Sequence, residues 1–254
     1  MRDALAVEFL KVRRSPVTWV TGILMVVLCP ALCVAFVSVV EGSGEGSLLA
    51  AKVQALVSGT GWVAYAGLLH QFAATALFVG FGVVVIWCFG REFSDRTVGS
   101  LFDLPVSRGS IATAKIVVIV GWGVAVSVVL VVLATALGAE VLGRPDGPAL
   151  GEMVKLLGVA ALTALVTLPL ALPASVGRGY LPGIGVMVLL LISAQVAVLF
   201  GSGAWYPIAA PGLWAVSGQR EAIRVTALQL SLVPLTAIAG WAVTARWWSR
   251  FELG

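Results

Sequence analysis

Charge is what this sequence has least of. Its 254 residues include 16 Lys and Arg, 12 Asp and Glu and one His, so charged side chains make up 11% while hydrophobic ones reach 60%. A soluble domain needs roughly 25% charged residues to cover its water-facing surface, which excludes a globular protein in water. Nucleic-acid binding is excluded as well, because a net charge of +4 leaves too few cations for a phosphate-binding face. Cysteine is scarce too. Cys29, Cys33 and Cys88 sit in apolar runs with no His or carboxylate at depth to join them, so they read as small apolar fillers and no metal site is expected. There is no G-x-x-x-x-G-K-[ST] loop, so the chain has no means of binding ATP in the P-loop manner.

What is present is long apolar sequence. Six charge-free gaps run from Ser15 to Val40, Val53 to Gly90, Ile116 to Ala139, Leu156 to Gly177, Gly179 to Gln219 and Val225 to Ala245. Each can supply the ~20 residues that cross a ~30 Å hydrocarbon core. A charge at a helix centre costs on the order of 3 kcal/mol, so this sorting of charge into loops is a physical constraint. The expected fold is an all-α integral membrane protein. It forms a single domain over 1–254, with spans at about 17–40, 62–89, 116–137, 156–176, 181–200 and 226–245. Gly201 to Arg224, with Trp205-Tyr-Pro and Pro211-Gly, is too short and too rich in Pro and Gly for a seventh span. It reads as a re-entrant or interfacial segment on the outer side.

Orientation follows from the cations. Eleven of the 16 Lys and Arg fall on the side that holds the N-terminus and five on the other, so both termini are expected in the cytoplasm. The first apolar run starts after Pro16 and is long enough to span, which argues against a cleaved leader. Ahead of it, Leu5, Phe9 and Val12 recur at helical spacing among Arg2, Glu8, Lys11, Arg13 and Arg14. That pattern predicts an amphipathic helix on the membrane surface, apolar face down, entering the bilayer at Ser15-Pro16; a solvated basic leader is the alternative.

Inside the spans the chemistry is thin. His70 is the one ionisable group in the six gaps other than thiols and tyrosines, and it reads as a satisfied interfacial histidine near the outer end of the second span. A proton relay or ligand role is the alternative. Thr75, Ser127, Thr135, Thr163, Thr167, Ser193, Gln195 and Gln229 are uncharged and polar. Most serve as helix-to-helix contacts, and all but Thr135 are candidates for lining a translocation path. Pro30, Pro169, Pro173 and Pro234 can kink their helices.

The loop from Gly90 to Lys115 concentrates seven charges. Phe93, Thr97 and Leu101, flanked by Val98 and Phe102, give it a helical apolar stripe that Pro105 would stop, after which Ser107 or Ser110 can cap the next helix. Such a helix suits either docking of a cytoplasmic partner or a connector resting on lipid headgroups.

Arg91-Glu92-Phe93, Asp95-Arg96-Thr97, Leu101, Leu104-Pro105-Val106-Ser107-Arg108 and Ala114-Lys115 resemble the cytoplasmic loop of the permeases of type-2, exporter-class ATP-binding-cassette transporters. Their pattern is R-E-[FY], then [DGR]-T, L-x-x-x-P-[VT]-S-R and A-K. Glu8-Phe-Leu-Lys11-Val-Arg13-Arg14-Ser15 is similar to the family's E-x-x-K-x-R-R-S opening. Trp205-Tyr206-Pro207 resembles the outer loop of small bacitracin and lantibiotic export permeases. The resemblance implies a multi-pass subunit of a bacterial plasma membrane that pairs with a second permease copy or a paralogue. A separate ATPase subunit would dock beneath it and hold the ATP and magnesium. Arg91, Glu92, Phe93, Asp95, Arg96, Thr97, Leu101, Phe102, Pro105 and Arg108 would form the coupling element. Glu8, Lys11, Arg13 and Arg14 would mark the connecting helix. A lipophilic drug or amphipathic peptide would be the cargo, exported for self-protection. Two other readings stay open: a membrane scaffold or sensor that docks a cytoplasmic partner, and an ion-coupled secondary transporter, which the absence of charge at depth disfavours.

Overall fold

The computed structural model describes residues 2–42, 59–99, 106–217 and 224–251. Among these the regular structure is helical, and six helices are long and apolar enough to cross a membrane: span 1 (Pro16–Val40), span 2 (Gly61–Ser94), span 3 (Arg108–Leu142), span 4 (Gly147–Val176), span 5 (Tyr180–Leu199) and span 6 (Ala227–Arg250). The N-terminal helix Arg2–Arg14 precedes them. Between spans 5 and 6 lie a short turn, Gly203–Trp205, and a short helix, Ala210–Val216.

Local chemistry sets most helix ends. Ser15 caps span 1 by accepting from the Val17 N–H, with Pro16 at the first helical position, where its missing N–H costs nothing. Ser107 caps span 3 through the Ser110 N–H, and Asp146 caps span 4 through the Ala149 N–H. Thr226 and Gln229 form a reciprocal capping box at the start of span 6. Prolines have different consequences. Pro30 follows a π-helical turn, Leu24–Leu28, which makes room where the proline ring would meet the carbonyl of residue 26. Pro169 lies in a 3-10 turn, Leu168–Leu170, that divides span 4, whereas span 6 runs on through Pro234.

Span 2 is the axis of the bundle. Its buried face carries Tyr65, Leu69, Phe81, Val85 and Phe89 and packs against spans 1, 3, 4 and 5 and the short helix. Close approach to the turn after span 4 requires Gly90: a Cβ there would lie 3.0 Å from the Gly179 carbonyl carbon and 2.9 Å from the Tyr180 ring. Gly90→Val should therefore force the span 4–5 turn outward and destabilise the protein by about 1–3 kcal/mol, read as a lower melting temperature of the purified protein.

The structure corrects four sequence expectations. Spans 2 and 3 reach well into the 90–115 loop, so its ends are helical and the connection itself begins at Asp95. The Phe93–Thr97–Leu101 stripe is broken: span 2 stops at Ser94, and Arg96 turns the chain with φ 56°, while Leu101, Phe102 and Pro105 lie outside the described residues. The N-terminal helix turns in a charge that its apolar stripe did not announce: it buries Glu8 together with Val12, while Phe9 is exposed. His70 is not a satisfied interfacial side chain. It is fully buried, and neither ring nitrogen makes a hydrogen bond.

Candidate functional site

Both termini of the bundle lie at one end, and there the scarce charges meet. Glu8 from the N-terminal helix, Glu92 from the last turn of span 2 and Lys115 from span 3 are each less than 5% exposed. The Lys115 Nζ donates to Glu8 Oε2 at 2.9 Å, Glu92 Oε1 at 2.8 Å and the Cys88 carbonyl at 3.2 Å, which uses all three of its protons. Lys11 completes a ring, donating to Glu8 Oε1 and Glu92 Oε1, both at 2.8 Å. Two carboxylates and two ammonium groups balance, and this is the condition under which burial of such charge is tolerated. The ring fastens the N-terminal helix to spans 2 and 3.

It also reaches the connecting loop. The Thr97 hydroxyl donates to Glu92 Oε2 at 2.9 Å, and its N–H bonds the Glu92 carbonyl at 2.9 Å. With Arg96 N–H on the Phe93 carbonyl, this is a Schellman end whose left-handed position is filled by arginine, although glycine fits it best. Arg178, at the turn between spans 4 and 5, occupies the equivalent position with φ 53°, and its guanidinium stands 5.4 Å from the Phe251 ring centre. Asp95 and Arg96 are exposed at the tip of the first turn. Arg91 is held back against Trp87, 5.3 Å from its ring centre, and pairs with Asp95 at 3.2 Å.

Beside the ring is an aromatic clasp. Trp248 of span 6 is fully buried, its Nε1 donating to Ser175 Oγ at 3.0 Å and its ring edge-on to Phe89 at 5.8 Å and Phe93 at 6.0 Å. Trp247 stacks on Phe251 at 4.7 Å, and Arg108 donates to the Phe251 carbonyl. Arg13 and Arg14 stay exposed, with the Trp19 indole N–H donating to the Arg13 carbonyl. Thus Glu8, Lys11, Glu92 and Thr97 from the sequence-derived set converge. Phe93 belongs to the adjoining clasp. Lys115, Trp248 and Ser175 were not singled out, although the A-K motif had already placed Lys115 near the membrane.

The uncharged polar residues differ in what their side chains bond and where they lie. Ser127, Thr163 and Thr167 are buried, with hydroxyls donating to carbonyls of their own helix, and Gln229 is committed to the span 6 cap. Ser193 bonds the Leu190 carbonyl and the Tyr206 hydroxyl. Thr75, Thr163 and Gln195, with Gln71, line one cavity of about 320 Å³ between spans 2, 4 and 5 and the short helix. At the same far end, Glu152 Oε2 lies 3.3 Å from His70 Nδ1 and 3.7 Å from Lys155, whose Nζ donates to the Ser217 carbonyl at the end of the short helix.

A polytopic helical bundle with six apolar spans and a buried ion ring at the end that holds its termini is the class these features define: a multi-pass membrane protein. Residues 4–194 match the family described as ABC-2 family transporter protein, and the chain belongs to that family as a permease of an ABC transporter. No match was found among curated proteins or solved structures.

Proposed function

We propose that the chain is the membrane-spanning half of an ATP-driven exporter in a bacterial plasma membrane, with both termini cytoplasmic. Two copies, or this chain and a paralogue, enclose the path. A separate ATPase subunit, which holds ATP and magnesium, docks on the end that carries the termini. The cargo is a lipophilic drug or amphipathic peptide moved outward.

The observation that carries this reading is the buried ring of Glu8, Lys11, Glu92 and Lys115 directly beneath the Asp95–Arg96 turn. A partner can drive a conformational change only if it binds the two states differently. A push on that turn reaches Thr97, Glu92 and then spans 2 and 3 and the N-terminal helix through charge-assisted hydrogen bonds that do not stretch cheaply.

The test follows from the backbone. Arg96→Gly relieves a left-handed position that costs an arginine roughly 1–2 kcal/mol, so the variant should fold and melt at or above the wild-type temperature. If the guanidinium docks the ATPase, transport-stimulated ATP hydrolysis in the reconstituted complex should fall about tenfold, the equivalent of one charge-assisted contact. Unchanged co-purification and stimulation in Arg96→Gly and in the charge reversal Asp95→Lys would count against docking at this turn. A reporter fused after Gly254 that is active only outside the cytoplasm would overturn the orientation.

A further inference from the structure

We propose that each copy carries a two-part site for a neutral-headed amphiphile, with the apolar chain in a groove between spans 1 and 2 and the head in the polar cavity beside it. This deepens the exporter reading by giving the cargo a chemical class, and its orientation in the bilayer rests on that reading.

The groove, about 580 Å³, runs from Thr21 and Val83 to Phe36 and Phe72. Fifteen residues of span 1 separate Thr21 from Phe36, about 22 Å of helix, enough for a chain that crosses one leaflet of a ~30 Å core. Its walls are Leu24, Leu28, Leu32 and Val79 with the two phenylalanines, which stack at 6.0 Å at the far end. The π-helical turn Leu24–Leu28 forms part of the wall, the kind of helix irregularity often found at functional sites.

At the phenylalanine end the chemistry changes. Thr75 borders both the groove and the cavity that Gln71, Thr163 and Gln195 line. Ser127, Thr135, Thr163, Thr167, Thr236 and Thr244 satisfy their hydroxyls on carbonyls of their own helices. Among the described residues no hydrogen bond engages the side chains of Gln71, Thr75 or Gln195, and all three are exposed. Uncommitted amides and a hydroxyl at membrane depth are costly unless something bonds them. They offer donors and acceptors together, which suits hydroxyls and amides. No charged residue lines either compartment, so an ionic head would lose its hydration without gaining a counter-charge. The order of the two compartments puts the head away from the ion ring and the chain toward it. With the termini cytoplasmic, that is how an amphiphile stands in the outer leaflet.

Cys29 lines the groove, so occupancy can be read by protection of its thiol, without ATP and without the ATPase. The chain, with Cys33→Ala and Cys88→Ala, is placed in phosphatidylcholine vesicles and treated with N-ethylmaleimide. Three probes of one chain length are compared: N-dodecanoyl-N-methylglucamine, dodecyltrimethylammonium and N-dodecanoylsarcosinate. The neutral probe should slow Cys29 labelling half-maximally at about tenfold lower mole fraction than either ionic one, the margin that one net hydrogen bond supplies. Gln71→Leu with Gln195→Leu should abolish that margin while leaving the Cys29 labelling rate without probe unchanged. Equal protection by all three, or none by any, would overturn the site, since the groove would then hold bilayer lipid alone. So would spontaneous disulfide linkage of Gln195→Cys between copies that persists with the neutral probe, because a second copy would then cover the stripe. Selective protection without ATP-dependent export would keep the site and reject the exporter reading; export without selective protection would do the reverse.

Discussion

Lys115→Met will be among the most damaging single substitutions in this chain, costing about 3–5 kcal/mol, the range for breaking a buried ion pair from one side. Methionine fills the space of the lysine stem, so the loss is one of charge and hydrogen bonding more than of volume. Glu8 and Glu92 would keep only Lys11 between them, with side chains 4% and 5% exposed, and the Cys88 carbonyl would lose the Lys115 donor. The measurement is thermal unfolding of the purified protein, followed by tryptophan fluorescence, with the amount of folded protein in the membrane as a second readout. Lys115→Met combined with Glu92→Gln restores neutrality around the Glu8–Lys11 pair and should recover much of the stability. The pair of substitutions should not recover coupling, because the ring no longer fastens spans 2 and 3 to the N-terminal helix. A single variant as stable as wild type would show that the ring contributes little to the fold.

The ring also explains where sequence reading stopped short. Six spans were legible because hydrocarbon sorts charge strongly, so gaps between charged residues mark helices without any knowledge of packing. The same rule misplaced the ends of spans 2 and 3. Glu92 and Lys115 looked like loop residues, yet each neutralises the other inside the protein, and both helices continue past them. Pairing is a tertiary event between residues far apart in sequence, and neither periodicity nor composition records it. Glu8 is the sharpest case. Helical spacing grouped Leu5, Phe9 and Val12 on one apolar face, but it gave no sign that Lys11 and Lys115 would draw the Glu8 carboxylate into the interior beside Val12. The family resemblance held the needed residues in three separate stretches, E-x-x-K, R-E-F and A-K, without saying that they meet. At the far end, His70 could be found from sequence as the one ionisable group in its gap other than a tyrosine and a thiol. That both of its nitrogens would be left without a hydrogen bond depended on how spans 2 and 4 pack.

Trp248→Ala should produce the second large loss, again about 3–5 kcal/mol. The indole is the largest fully buried side chain among the described residues, so truncation opens a cavity bounded by Phe89 and Phe93 of span 2. Backbone shifts cannot easily close it, because Gly90, one residue on from Phe89, already stands against the Gly179 backbone. Ser175 adds little to the cost: its hydroxyl keeps the Ala171 carbonyl at 2.7 Å. The aromatic body and the polar tip can therefore be separated. Trp248→Phe retains much of the ring packing and removes only the Nε1 hydrogen bond, so it should cost about 1 kcal/mol plus a small void. Trp247→Ala, at a half-exposed position stacked on Phe251, should cost less than Trp248→Ala because less of its surface is buried against the protein. The expected order of melting temperatures is wild type, then Trp248→Phe and Trp247→Ala, then Trp248→Ala well below them. Near-equal losses in Trp247→Ala and Trp248→Ala would mean that stacking at the end of span 6, and not the buried clasp between spans 2, 4 and 6, holds that end together. Because Phe93 touches both the clasp and the turn at Asp95–Arg96, Trp248→Phe then also separates stability from coupling: with the fold kept, any fall in ATPase stimulation measures how firmly span 6 follows the turn.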